Sequence, residues 1–253
     1  MELFPFSFHE FCTFKKVEPT PKAVEQYLLT GGFPEYVKRG DSRILHTLFE
    51  DILLRDIAVR YGVRDIKSLQ RVALYLISNI GKPVTANRMK SLFEVSATST
   101  MMEYFSHLEM AYLFFFIPKF SYSVRKQLIN PRKVYAIDTG LISENSTSFS
   151  KDRGHKFENL VFLHLRQNFK EIYYFNETGE CDFVVFEKGN FREAIQVCIQ
   201  LTPDNIDREL NGLFEALEFF KQTHGTLVTL SEKDSYKKNG KKISIVPAHE
   251  FFK

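Results

Sequence analysis

The feature that most constrains the fold is a change of hydrophobic period at Ala111. Before it, apolar residues recur every three or four positions, as in Leu45, Leu48, Ile52, Leu53 and Ile57 of an amphipathic helix over Leu45–Arg60. A second such helix, Leu69–Ile80, is closed by Gly81-Lys82-Pro83. Thr85 can cap a third over Ala86–Phe93, and Ser96 a fourth over Ala97–Ala111. After it, Tyr112–Ile117 is a continuous apolar, β-prone run. Pro118–Asn130 then leads into a short strand at Lys133–Ile137.

Three helices followed by a β-hairpin is the order of a winged helix-turn-helix; the competing reading is a small helical linker with an incidental hairpin. Upstream, Pro19, Pro21 and Gly31-Gly32-Phe33-Pro34 punctuate a helical segment. Leu141–Asp152 is Ser-rich and reads as an exposed connection. Beyond it come a helix (Gly154–Asn168), strands at Glu171–Phe175, Cys181–Phe186 and Arg192–Leu201, and a long helix from Pro203 to about Gln222. Strand Thr226–Leu230, a Lys-rich turn at Asn239-Gly240 and strand Ile243–Val246 close the chain. The expectation is a mixed α/β (α+β) protein in three parts. These are a helical segment (1–64), a winged helix (65–140) and an αβββαβ domain (141–253).

Composition narrows the function classes. Lys and Arg number 34 against 31 acids, for a net charge of +3, and the pI near 8.6 permits nucleic acid without demanding it. Three cysteines are too few for a disulfide framework and fit a reducing compartment. No apolar run approaches the about 20 residues of a membrane span. A cytoplasmic protein without a membrane partner is expected. There is no His or Cys spacing for structural zinc and no Gly-x-Ser-x-Gly elbow.

Two carboxylates stand in unfavourable places. Glu158 borders the apolar side of its helix, one turn from Val161 and Phe162, and Asp182 interrupts the apolar strand Cys181–Phe186. Strand alternation puts Gln196, Cys198 and Gln200 on one face, where Asp182 meets Gln196 and Cys198 if the strands pair. A helix with Glu, a hairpin with Asp and a strand with a Glu-x-Lys pair resembles the PD-(D/E)XK nuclease core. That resemblance implies Mg²⁺ held by carboxylates and a lysine that positions the attacking water. Here the pair is Gln196 and Cys198, so the lysine is missing. Lys156 and Lys188 are neighbouring substitutes that no spacing favours. The degenerate site of Glu158, Asp182, Gln196 and Cys198 is expected to lack catalysis, with Mg²⁺ or Mn²⁺ held at most loosely by Glu158 and Asp182.

A longer resemblance rests on Phe4-Pro5-Phe6-Ser7-Phe8, Gly31–Tyr36, Arg55-Asp56-Ile57 and Asn130–Asp138. Gly154–Asn159, Gly179–Val185 and Ile195–Cys198 complete it. These segments are similar to the C-terminal module of predicted prokaryotic AAA-type ATPases. The resemblance implies an ATPase domain upstream, a winged helix and a nuclease-like domain. No Gly-x-x-x-x-Gly-Lys-Ser/Thr loop is present, so ATP hydrolysis is not expected, and the chain reads as a truncated gene product or a designed fragment lacking that domain.

For DNA, the start of the third winged helix offers Ser96, Ser99 and Thr100. The wing offers Lys119, Arg125, Lys126, Arg132 and Lys133, with no acid from Lys119 to Lys133. Three functions follow: a non-catalytic module binding DNA, an ATPase domain or a protein partner; an active metal-dependent nuclease using Glu158 and Asp182; or a protein-interaction platform that never touches nucleic acid. Lys237–Lys242 reads as a solvated turn.

Overall fold

The computed structural model of the chain describes residues 2–147 and 153–253. Four helices come first: α1 (Phe8–Lys15), α2 (Pro21–Thr30), α3 (Pro34–Arg39) and α4 (Arg43–Asp51), which runs on as a π-helical stretch over Ile52–Val59. Ser7 and Glu10 form a reciprocal capping box on α1, and Thr20 caps α2 ahead of Pro21.

Helix α5 (Ile66–Ser78) leads to strand β1 (Pro83–Val84), α6 (Ala86–Phe93) and α7 (Thr98–Met110). Strand β2 (Phe114–Pro118), α8 (Val124–Ile129) and strand β3 (Arg132–Ala136) follow. The three strands make an antiparallel sheet in the order β1-β3-β2. Thr85 caps α6, its hydroxyl accepting from the Arg88 amide. Ser96 does not cap α7: Ala97 occupies that position, and no side chain bonds the first turn. The segment between β2 and β3 contains α8, a short helix capped by Ser123 with no buried side chain.

Where an exposed connection is expected, Thr139–Asn145 forms helix α9 instead. Its apolar pair Leu141 and Ile142 is buried, and the helix packs against α2 and α4. The Ser content of the region hid that apolar pair. The remainder of the expected connection, from 148 to 152, lies outside the described residues.

Helix α10 (Arg153–Asn168) opens the last part. Strands β4 (Glu171–Asn176), β5 (Glu180–Glu187) and β6 (Asn190–Val197), helix α11 (Ile206–Phe219) and strands β7 (His224–Thr229), β8 (Asp234–Lys238) and β9 (Lys241–Pro247) follow, closed by α12 (Ala248–Phe251). The sheet order is β4-β5-β6-β7-β9-β8, parallel from β6 through β7 to β9 and antiparallel elsewhere. The mixed α/β class is as expected. Strand β8 is an addition: the Lys-rich turn is the tip of a β8–β9 hairpin, in which Asn239 and Gly240 take positive φ.

One continuous apolar core joins all three parts of the chain, from Phe8 through Leu76, Phe114 and Phe162 to Phe252. A second core lies between the six-stranded sheet and α11, with Phe175, Val184, Leu213 and Leu217. Neighbours Phe183 and Val184 fall in different cores, as the two-residue period of a strand covered on both faces requires.

Three of the segments quoted above, around Phe6, Gly32 and Asp138, meet at one junction. The Phe6 amide donates to the Gly32 carbonyl at 2.8 Å, and the Gly32 amide donates to Asp138 Oδ2 at 2.6 Å. The other Asp138 oxygen accepts from the Leu141 amide at 3.0 Å. Burial pushes the Asp138 carboxyl up to about 6 against the pull of these amides. A Cβ on Gly32 would collide with the Phe6 carbonyl oxygen, which is backbone and cannot yield cheaply. Gly32→Ala is therefore expected to cost about 1–3 kcal/mol, as overpacking does. A fall in the urea midpoint at unchanged slope checks it.

Candidate functional site

The cation that the nuclease-like pattern lacks is present, and it comes from another part of the chain. Lys133, in β3 of the three-stranded sheet, sends its ammonium into the six-stranded sheet with only 2% of its surface exposed. Its Nζ donates to Glu158 Oε1 at 3.0 Å and Asp182 Oδ1 at 3.1 Å, and is paired with Glu180 Oε1 at 2.7 Å. The Tyr135 hydroxyl, two residues along β3 and so on the same face, also donates to Glu158 Oε1 at 2.6 Å. Lys133 therefore does not sit with Arg125 and Lys126, with which the sequence grouped it. The alternation of β3 turns it inward while Arg132 stays partly exposed.

The rest of the pattern is met in part. Register pairs Phe183 with Ile195, which sets Asp182 beside Gln196. Gln196 Oε1 accepts from the Asp182 amide at 3.1 Å, and its Nε2 donates to Glu209 Oε2 on α11 at 2.7 Å. Asp182 Oδ2 accepts from the Val197 amide at 3.0 Å. Cys198 stands apart, its thiol donating to the Gln200 carbonyl and accepting from Asn205 Nδ2. Burial raises that thiol to about 11, so it is neutral at pH 7. Lys156 bonds Ser143 Oγ instead, and Lys188 is an exposed turn residue.

Electrostatics follow from burial. Burial alone would lower the Lys133 pKa, but Glu158, Tyr135, Asp182 and Glu180 raise it well above the ordinary value, so it is charged. Burial and then the Glu158 charge raise Asp182 from 3.8 to about 7, against the pull of Lys133. Glu180, at the half-exposed rim, is lowered by Lys133 despite its burial. Among the described residues, no three His, Cys, Asp or Glu side chains are arranged to hold a metal ion. Each of the three acids is instead turned towards the ammonium, which a divalent cation would have to displace.

Lys133 heads the apolar run Val134–Ile137, a sign that the strand is buried but not that its first charge is. Glu180 could have been found two residues before Asp182 on the same strand face. Between β2 and β3, Arg125 and Lys126 are exposed, and Lys119 pairs with Glu177 at 3.2 Å. At the start of α7, Ser96 and Ser99 are exposed and Thr100 is partly buried.

Comparison with known proteins adds a family. The profile of a domain of unknown function, DUF8612, matches residues 21–151. The chain belongs to the DUF8612 family. The matched region contains Lys133 and Asp138 but ends before Glu158, Glu180 and Asp182. An uncharacterized protein of Methanocaldococcus jannaschii is 30% identical over an alignment of 257 positions, covering 92% of this chain and 57% of that protein. An uncharacterized protein of Haemophilus influenzae is 28% identical over 250 positions, covering 94% of this chain and 58% of that protein. The chain thus spans less than three fifths of the length of either relative. No solved structure matches it significantly. No helix among the described residues is long and apolar enough to cross a membrane.

Removing the ammonium leaves its acids buried and unpaired. Lys133→Met is expected to destabilise the fold by about 3–5 kcal/mol near neutral pH. The loss should shrink as the pH falls and the acids take up protons. In the intact protein, Asp182 has a folded pKa above its unfolded one. Its contribution is therefore fully present below about pH 4 and is lost as the pH rises through about 7. Asp182→Asn should flatten that part of the stability profile, measured by urea unfolding from pH 4 to 8.

Proposed function

We propose that this chain is a non-catalytic nucleic-acid-binding module whose nuclease-like site serves as an internal ion-pair lock. The observation that supports absence of catalysis is the Lys133 ammonium seated among Glu158, Glu180 and Asp182. It engages the oxygens a metal would need, and the principal groups are more than nine-tenths buried. A scissile phosphodiester has no approach to such a cluster while the two sheets stay joined.

Binding is assigned to the wing. The three-stranded sheet with α5, α6 and α7 has the order of a winged helix, in which the β2–β3 connection is the wing. Among the described residues Arg125 and Lys126 are exposed and make no ion pair, which leaves them available to phosphates. Resemblance to the C-terminal module of AAA-type ATPases belongs to the same proposal. The greater length of the relatives is compatible with a further domain in proteins of this kind. An ATPase domain or another protein would then be a second partner.

A nuclease remains the second reading, because Lys133 supplies the cation whose absence was the chief objection to it. Plasmid and single-stranded DNA in Mn²⁺ separate the two. The expected result is no cleavage; cleavage that disappears in both Glu158→Ala and Asp182→Ala would establish the nuclease. In gel shifts, binding should weaken with salt at a log–log slope of about −0.9 per phosphate contacted on duplex DNA. The Arg125→Ala/Lys126→Ala double variant should weaken it further. ATP should give no calorimetric heat of binding.

A further inference from the structure

The wing carries more than charge. Tyr122, just before the α8 cap Ser123, is 78% exposed, and its ring lies nearly parallel to that of Phe219, itself 41% exposed, with centroids 5.9 Å apart. Beneath them Phe120 meets Tyr122 edge-on at 5.1 Å and Phe220 at 4.8 Å, and Phe219 rests on Phe175 at 5.1 Å. The two rings thus stack on one another over an aromatic base, and each keeps a large exposed surface. Gln127 Nε2 donates to the Ser121 carbonyl at 2.6 Å, holding α8 and its Arg125 and Lys126 within one turn of Tyr122. The neighbouring acids are already taken, Glu177 by Lys119 and Glu218 by Lys241.

We infer that this face, Tyr122 and Phe219 flanked by Arg125 and Lys126, binds single-stranded nucleic acid. The inference rests on the nucleic-acid reading above and names its substrate class. Exposed ring faces stack on unpaired bases of any sequence, while adjacent cations follow the phosphates. In a duplex the bases are stacked on one another and cannot reach such rings. The helix that would enter a duplex groove is also poorly suited: the exposed positions of α7, Ser99, Met102, Glu103, Ser106, Glu109 and Met110, include two acids and no Lys or Arg. Val124, Leu128 and Ile129 extend the face with apolar surface for sugars and base edges.

The test is fluorescence anisotropy of the full chain with a labelled oligo-dT strand and with a duplex of equal length. The expected result is tighter binding of the single strand, weakened about tenfold by Tyr122→Ala and retained by Tyr122→Phe, with duplex binding unmoved by either. Tyr122 is exposed, so its substitution leaves the fold intact. Equal affinity for both forms, lost only in the Arg125→Ala/Lys126→Ala variant, would overturn the stacking inference and leave the nucleic-acid reading standing. No binding of either form would overturn both. Binding of phosphatidylserine vesicles in place of oligonucleotides would overturn both and make the face a membrane contact.

Discussion

The structure turns on one buried ammonium. Lys133 leaves a strand of the small sheet and ends among three carboxylates, two from alternate residues of β5 and one from α10. A charge so deeply buried is tolerable only with this many partners, and the partners are tolerable only with the charge. That mutual need fixes the position of the three-stranded sheet against the six-stranded one. Nearby bonds reinforce it: the Phe120 amide donates to the Tyr174 carbonyl at 2.7 Å, and the Tyr174 hydroxyl donates to the Pro131 carbonyl at 2.7 Å. Asn159, next to Glu158, bonds both the amide and the carbonyl of Ala136.

The same geometry gives the nuclease-like pattern a structural meaning. Glu158, Asp182 and Gln196 meet as the pattern requires, but their bonds point inward, to Lys133, Tyr135, Glu209 and the backbone. A site built for a metal and a phosphate keeps oxygens turned towards an opening. Here Glu180 is the only acid of the cluster at the surface, and it is itself held by the ammonium.

A second knot lies at Gly32 and Asp138, where the first residues, the α2–α3 turn and the start of α9 are tied by the Phe6–Gly32 backbone bond and by the Asp138 carboxylate, which accepts from the Gly32 and Leu141 amides. The tie joins three distant stretches of chain, and at Gly32 any side chain would strike the Phe6 backbone. It also explains why one core runs through parts that the sequence divides at residues 64 and 140.

Local physics determined much from the sequence alone. The helices before Ala111, the strands at β2 to β7 and β9, the Thr85 cap and the pairing of Asp182 with Gln196 follow from period, caps and alternation within a few residues of chain. What needed the tertiary structure were features whose cause lies far away in sequence. Lys133 looks like one more cation of a basic wing, because nothing within reach of a local pattern announces carboxylates 25, 47 and 49 positions later. Leu141 and Ile142 look like part of a Ser-rich loop until α2 and α4 close over them. Ser96 looks like a cap until the backbone starts α7 one residue further on. Periodicity reports which face of an element is apolar; only the packing of elements decides which charges that face must meet.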